Sequence, residues 1–316
     1  MPYDNIISRT DVPIPEEVSN AFLGSLTSES AVLTTFTRIP VGNAQTRFPV
    51  LSALPIAYWV TGDTGLKQTT EVNWDDKFLN IEELAVIVPV PENVLDDSGF
   101  PIWDQVQPLM VQAAGRTLDA TVFYGTNAPA SFPTNVVANA VSAGNVVARG
   151  TNAAAAGGII GDFSDLLGTV EADGYAVDSG IAARSLRGRA RQARNTAGER
   201  LGEVALDKDT VTIDGVRLMT NAMPGQWPTG LSAAEAIVYD PTQFVVGVRQ
   251  DVTFKLLDQS VITDNTGAII YNLPQQDMVA MRMKMRVGWQ VANTINYDQA
   301  VEANRYPAGV LRSPAA

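Results

Sequence analysis

Between Met278 and Val291 apolar and polar side chains alternate: Met281, Met283, Met285, Val287 and Trp289 are interleaved with Arg282, Lys284 and Arg286. A period of two puts each set on its own face of a pleated ribbon, so the segment predicts a long strand with one buried face and one cationic ridge. From Ile102 to Tyr124 the period lengthens to three and four, with Trp103, Val106, Met110, Ala113, Thr117 and Thr121 in one stripe. That predicts a helix roughly 35 Å long at about 1.5 Å per residue. Pro108 has no N–H for the carbonyl of Asp104, which predicts a kink or an extra short helix there.

Leu84 to Val90 is a continuous apolar run of strand length, and Asp96-Asp97-Ser98-Gly99 breaks the chain after it. Upstream, the β-prone stretches Ile56 to Val60 and Thr69 to Trp74 flank the Gly-rich polar residues 61–68, the pattern of a long hairpin. Two strands alone are marginal in water, so a hairpin carrying Tyr58, Trp59 and Trp74 must cover a surface, of its own body or of another subunit. Residues 1–45 carry Pro2, Pro13 and Pro15 and read as an arm with one short helix, Glu16 to Leu26, that needs something else to lie on.

Residues 125–161 are rich in Ala, Asn and Gly, with a short helix near Val136 to Ala143 between loops, and they mark the best domain junction. Helices follow at Phe163 to Ala172 and Ala182 to Asn195. The second carries Arg184, Arg187, Arg191 and Arg194 in one arc beside Ala182, Leu186, Ala190 and Ala193. Then come strands: Thr210 to Ile213, a hairpin turn at Asp214-Gly215, Val216 to Met219, Ala236 to Tyr239, Phe244 to Val248 and Val252 to Leu257.

The 316 residues suffice for one large or two moderate domains, and 46% hydrophobic against 18% charged residues marks a globular chain with a sizeable core, which the helical and strand segments together make α+β. The chain contains neither Cys nor His. That removes the cysteine nucleophile, the Ser-His-Asp relay, the usual zinc site and any disulfide. A net charge of −12 argues against wrapping nucleic acid with the whole surface, though a local basic face stays open. No run reaches the 18 or so apolar residues of a membrane span, and Met1 to Thr10 lacks a signal-peptide pattern, so a soluble protein made in the cytoplasm is expected.

Catalytic signatures fail on inspection. There is no GxxxxGK(S/T), no GxSxG, and no GxGxxG between a strand and a helix; Gly157 to Gly161 belongs to an Ala/Gly loop. Asp207-Lys208-Asp209 with Asp214-Gly215 lacks a calcium loop's third ligand, where Val211 stands, and its closing Glu. The pairs Glu82-Glu83 and Asp96-Asp97 read as turn and cap residues. No catalytic, cofactor-binding or metal-binding residue is therefore predicted. The arginine stripe has three readings: a solvated face, an interface with acids of a neighbour, or a contact to enclosed nucleic acid. For Arg282, Lys284 and Arg286 the interface reading is the stronger.

The order of arm, aromatic hairpin, long helix, inserted helix-and-strand region and long late strand resembles the Hong Kong 97-type major capsid proteins of tailed bacteriophages. The resemblance rests on Arg47-Phe-Pro-Val-Leu-Ser-Ala-Leu-Pro with Tyr58-Trp59-Val60, on residues 83–97, on residues 247–258 and on Gln276-Asp-Met-Val-Ala-Met-Arg. It implies an N-arm at 1–45, an extended loop at 46–80, a peripheral domain at 81–155 and 272–316 with its spine helix at 102–124, and an axial domain at 156–271. It also implies hexamers and pentamers of the chain around double-stranded DNA in a virion assembled in the host cytoplasm, with scaffolding, portal and possible decoration partners. A separate scaffolding protein is expected because the long helical extension of some relatives does not precede the arm.

Some members crosslink a loop lysine to an asparagine with help from a glutamate. Lys67 matches the lysine, but Asp277 and Lys284 stand at the other two places, so a noncovalent shell is expected. The candidate subunit-interface residues are Tyr58, Trp59, Lys67, Trp74, Arg184, Arg187, Arg191, Arg194, Arg282, Lys284 and Arg286. An encapsulin-like compartment enclosing a cargo enzyme is the alternative on the same fold; a hydrolase acting through acidic residues has no positive feature in its favour.

Overall fold

The structure is a computed structural model that describes residues 30–60, 67, 69–96, 102–194, 197–198, 204–222, 227, 233–264 and 266–314. The expected helix at Glu16 to Leu26 lies outside them. In chain order the elements begin with α1 (Ala31–Thr35), β1 (Thr37–Pro40), β2 (Gln45–Ala53), β3 (Asn73–Asn80), β4 (Glu82–Pro91), α2 (Glu92–Asp96) and α3 (Ile102–Tyr124). Next come α4 (Val136–Ala143), β5 (Val146–Ala148), α5 (Ile159–Ala172), β6 (Ser179–Ala182), α6 (Arg184–Gln192), β7 (Val204–Leu206), β8 (Thr210–Ile213) and β9 (Val216–Met219). The rest is β10 (Ala234–Tyr239), β11 (Phe244–Leu257), β12 (Val261–Thr263), β13 (Ile269–Asn272), β14 (Met278–Val291) and β15 (Ala308–Arg312).

The alternating segment is β14, and its register follows the pattern that predicted it. It runs antiparallel to β11 on one side and β4 on the other, with β1 added parallel to β11 to give the order β1-β11-β14-β4. Met281, Met283, Met285, Val287 and Trp289 are buried, while Arg282, Lys284 and Arg286 between them stay half-exposed. The expected strands at 244–248 and 252–257 are one strand, β11, because register shifts around Gln250 absorb the interruption.

Helix α3 lies against the buried face of this sheet and runs unbroken through Pro108, without the extra helix expected there. Its buried row departs from the predicted stripe between Met110 and Thr121, which is itself buried. Ala114 and Leu118 turn inward, whereas Ala113 is exposed and Thr117 half-exposed. Both rows satisfy the helical period; the one that buries Leu118 removes more apolar area from water, at about 25 cal/mol per Å².

The second sheet has the order β5-β15-β10-β6-β9-β8-β7. Its strand β10 is buried along its whole length, as a strand covered on both faces must be. Ala236 and Val238 pack with α5 and α6 on one side; Ile237 and Tyr239 join α3 and the four-stranded sheet on the other. The turn between β8 and β9 has Asp214 at φ 48° and Gly215 at φ 83°, the left-handed pair that a two-residue hairpin turn of the predicted kind needs. The predicted helix at 182–195 is shorter: Ile181 and Ala182 complete β6 opposite Ile237 and Ala236, and α6 starts at Arg184 and leaves Arg194 outside.

Residues of the expected arm enter the body. Ala31, Val32, Leu33 and Phe36 are buried, and Phe36 sits within 6.0 Å of Phe123, Tyr239 and Phe244, ring centroid to centroid. Such aromatic pairs each add about 0.5–1.5 kcal/mol beyond their burial.

The hairpin exists, but its paired strands are β2 and β3, nearer the base than the expected 56–60 and 69–74. Pro55 has no N–H to continue a ladder, and beyond Ala53 the two arms are joined instead by the Ile56 N–H donating to Thr70 Oγ1 at 3.0 Å. Its root crosses the four-stranded sheet at two facing glycines, Gly247 and Gly288. A Cβ on Gly288 would stand 1.9 Å from the Asn80 carbonyl oxygen, and one on Gly247 would stand 2.5 Å from Leu79 Cδ2. Only glycine leaves room for the β3–β4 connection to lie on the strands.

Candidate assembly interface

The hairpin carries an apolar surface that no part of its own chain covers among the described residues. Trp59 is 101% exposed, and Ile56, Tyr58, Trp74 and Phe78 are also exposed, as is Lys67. The hairpin's base is fastened to the body by polar contacts. Lys77 Nζ meets Glu302 Oε1 at 2.7 Å, the Gln290 amide donates to the Phe78 carbonyl at 2.9 Å, Asn80 donates to the Ser131 carbonyl at 2.7 Å, and the Tyr297 hydroxyl donates to the Pro55 carbonyl at 3.1 Å. Beside this base is a cleft of about 380 Å³ lined by Lys77, Asn139, Glu302, Arg305 and Tyr306, among others. Its two cations are already engaged: Lys77 with Glu302, and Arg305 with the backbone carbonyls of Asn293, Gln299 and Ala300.

The cationic ridge of β14 is partly satisfied within the chain. Lys284 Nζ lies 2.5 Å and Arg286 3.3 Å from the Glu83 carboxylate, which holds Glu83 below the usual carboxylate range, chiefly through the Lys284 hydrogen bond. Arg282 Nε has no hydrogen-bond partner among the described residues. Asp277 occupies a left-handed turn, at φ 48°.

The arginine helix divides into two faces. Arg184 meets Asp209 at 3.1 Å at the surface, and Arg194, past the helix end, donates to the carbonyls of Arg191 and Ala193. Arg187 is half-exposed and Arg191 exposed. Arg189, on the other side, reaches the buried Glu235 at 2.5 Å; Arg149 Nε lies 2.9 Å from the same carboxylate and Ser313 Oγ donates to it at 2.8 Å. The predicted interface residues thus fall in three separate groups, on the hairpin, on β14 and on α6.

A further polar site joins the start of the described chain to the spine. The buried Asp119 of α3 accepts from Ser30 Oγ at 2.6 Å, Ala31 N at 3.0 Å and Val32 N at 3.2 Å, while Ser30 Oγ accepts from Leu33 N at 3.3 Å. Burial pushes its carboxyl up to about 6, against the opposing pull of these donors. Asp119 and Glu235 were both missed from sequence, although Glu235 is a lone acid in an otherwise apolar strand, the signature of a buried ion pair.

An exposed aromatic hairpin on a braced root, with charged groups on β14 and α6, presents several surfaces to other copies of the chain. The chain belongs to the phage capsid family, which matches residues 10–295. The major capsid protein of Staphylococcus phage 80alpha is 22% identical over 307 residues, 96% of this chain and 89% of that one. A solved structure from Microbacterium phage Oxtober96 is 36% identical, covers 96% of this chain and 100% of its own, and has a TM-score of 0.78. One from Mycobacterium phage Cain is 31% identical over 91% of this chain and 90% of its own, also at 0.78. The function is that of a tailed-phage major capsid protein, a component of the virion; these phage relatives decide against the enzyme-filled compartment. No helix among the described residues is long and apolar enough to cross a membrane.

Proposed function

We propose that this capsid protein builds an icosahedral shell around double-stranded DNA from hexamers and pentamers, each hairpin lying over a neighbouring subunit, with assembly in the host cytoplasm and portal and scaffolding proteins as partners. The observation that carries the reading is the uncovered Trp59 with Ile56, Tyr58 and Trp74 around it. An exposed indole on a monomer gains nothing; buried at a contact repeated over a shell, it becomes an anchor worth about 2 kcal/mol or more per copy. The double variant Trp59→Ala/Trp74→Ala is expected to unfold within about 0.5 kcal/mol of the parent, because both side chains are solvent-exposed. Its particle yield, counted by electron microscopy, should fall at least about tenfold. Normal yield would remove the hairpin from the interface.

Within this reading the arm is 1–45, the extended loop 46–80 and the spine helix 102–124. We place the peripheral–axial division between the two sheets, not at 155, 156, 271 and 272. Strand β11 then belongs with the peripheral sheet, and β5 and β15 with the axial one. The shell is noncovalent: Lys284 stands where the crosslink would want an acid and is itself paired with Glu83. Purified particles boiled in detergent should run as single chains on a denaturing gel, and a ladder of oligomers would refute this.

A further inference from the structure

Helices α5 and α6 lie beside each other on the same face of the seven-stranded sheet and touch one another. Helix α5 packs on β15 and β5, with Leu166 and Val170 directly against Gly309, and its Ser164 hydroxyl donates to Asp214 in the β8–β9 turn; α6 touches β10 and β7. Their exposed faces are opposite in charge. On α5, Ser164, Gly168 and Ala172 form an exposed strip of small residues, with Asp165 and Glu171 on its two flanks about 60° either side of Gly168 at 100° per residue. The Asp165 carboxylate accepts only from the neutral Asn152 amide, at 2.6 Å, among the described residues, and neither acid has a cation within ion-pair distance there. On α6, Arg187 and Arg191 lie one turn apart on the same side, likewise without an acidic partner among the described residues, in contrast to Arg184 and Arg189.

We propose that the Arg187–Arg191 ridge of one copy seats on the Asp165–Glu171 face of the next copy around a capsomer axis. The inference rests on the shell reading above and names the partner of a surface that reading leaves open. A ridge and its complement on two different surfaces of one domain make a head-to-tail contact, which gives a ring where the rotation between copies closes. A strip of small residues between two carboxylates leaves space for arginine stems, and planar guanidinium groups suit carboxylates better than a lysine would. In a chain of net charge −12, two uncompensated arginines have abundant anionic partners of their own kind. Enclosed DNA is the competing occupant of the ridge, and it would leave the acidic face without a role.

Charge reversal decides between them. The variant Arg187→Glu/Arg191→Glu faces acids with acids, and its particle yield should drop at least about tenfold, since like charges juxtaposed across an interface are strongly disfavoured. The variant Asp165→Arg/Glu171→Arg should fail likewise. The quadruple variant carrying all four changes restores opposite charges at every contact and should recover particles, which also shows that the reversed chains fold. Parental yield from the arginine reversal, or no recovery in the quadruple variant, would overturn this contact while leaving the capsid reading intact. An unaltered chain that forms no particles even when supplied with its scaffolding protein would overturn that reading and this contact together.

Discussion

Replacing Gly288 with alanine should lower the stability of the unassembled chain by about 3 kcal/mol or more, read from the urea midpoint, and should abolish shells. Overpacking in a close-packed region typically costs about 1–3 kcal/mol, and the upper end applies where the obstacle is backbone. Here the new methyl group would overlap the Asn80 carbonyl oxygen at 1.9 Å, with the carbonyl carbon at 2.9 Å and Ile81 Cδ1 at 3.1 Å. No rotamer change relieves that clash, so either β14 bends or the hairpin root lifts off the sheet. Lifting it strains the Gln290–Phe78 and Asn80–Ser131 hydrogen bonds and redirects the whole hairpin. Gly247→Ala is the milder companion, because its nearest obstacle is the end of the Leu79 side chain, which can turn away. A Gly288→Ala chain with parental stability and normal particles would mean that the root does not sit in this notch.

Asp119→Ala should cost about 3 kcal/mol at neutral pH, because it strips the acceptor from three buried donors at the start of α1. A helix of five residues cannot form by itself, so losing this anchor should free the segment from the spine. The anchor also titrates. The folded-state value of about 6 lies above the ordinary 3.8, so the folded chain holds the proton more tightly than the unfolded one. The associated stability is fully present below about pH 4 and is lost as pH rises through about 6, a change of about 3 kcal/mol. The groups packed around the carboxylate are Ser30, two backbone amides and the buried Tyr239, whose own titration burial pushes far upward, so Asp119 is the group that titrates in this window. Comparison with Asp119→Asn isolates the effect: between pH 4 and 6 the parent should lose stability relative to the variant, and above 6 the difference should be flat. A difference independent of pH throughout would show that Asp119 does not carry the charge change.

Strand β14 and the turn at Asp214-Gly215 were legible because period two and a left-handed pair each leave an unambiguous local signature. Helix α3 was equally plain in extent, yet its inward row was not, since Ala113 with Thr117 and Ala114 with Leu118 serve the helical period equally well. The choice belongs to the sheet beneath. The hairpin was visible through its aromatic residues, which lie toward the tip, whereas pairing runs from the base through Pro49 and ends at Ala53, before Pro55. Asp119 and Glu235 have partners 89 and 86 residues away, at Ser30 and Arg149, and such pairings leave no periodicity to read. The arginine arc was visible, but the separation of Arg189 from Arg187 and Arg191 required knowing that Glu235 lies beneath one side of the helix.

Strand β15 sits between β5 and β10, and its partners precede it by more than a hundred and sixty residues in one case and about seventy in the other. Until the chain has been made as far as Arg312, β5 has no neighbour and β10 presents an open edge. Closing a sheet through such distant pairings is slow in comparison with forming a helix or a hairpin. A nascent chain on the ribosome therefore lacks a finished seven-stranded sheet to offer to other copies until β15 has been made, and the order of synthesis itself delays association.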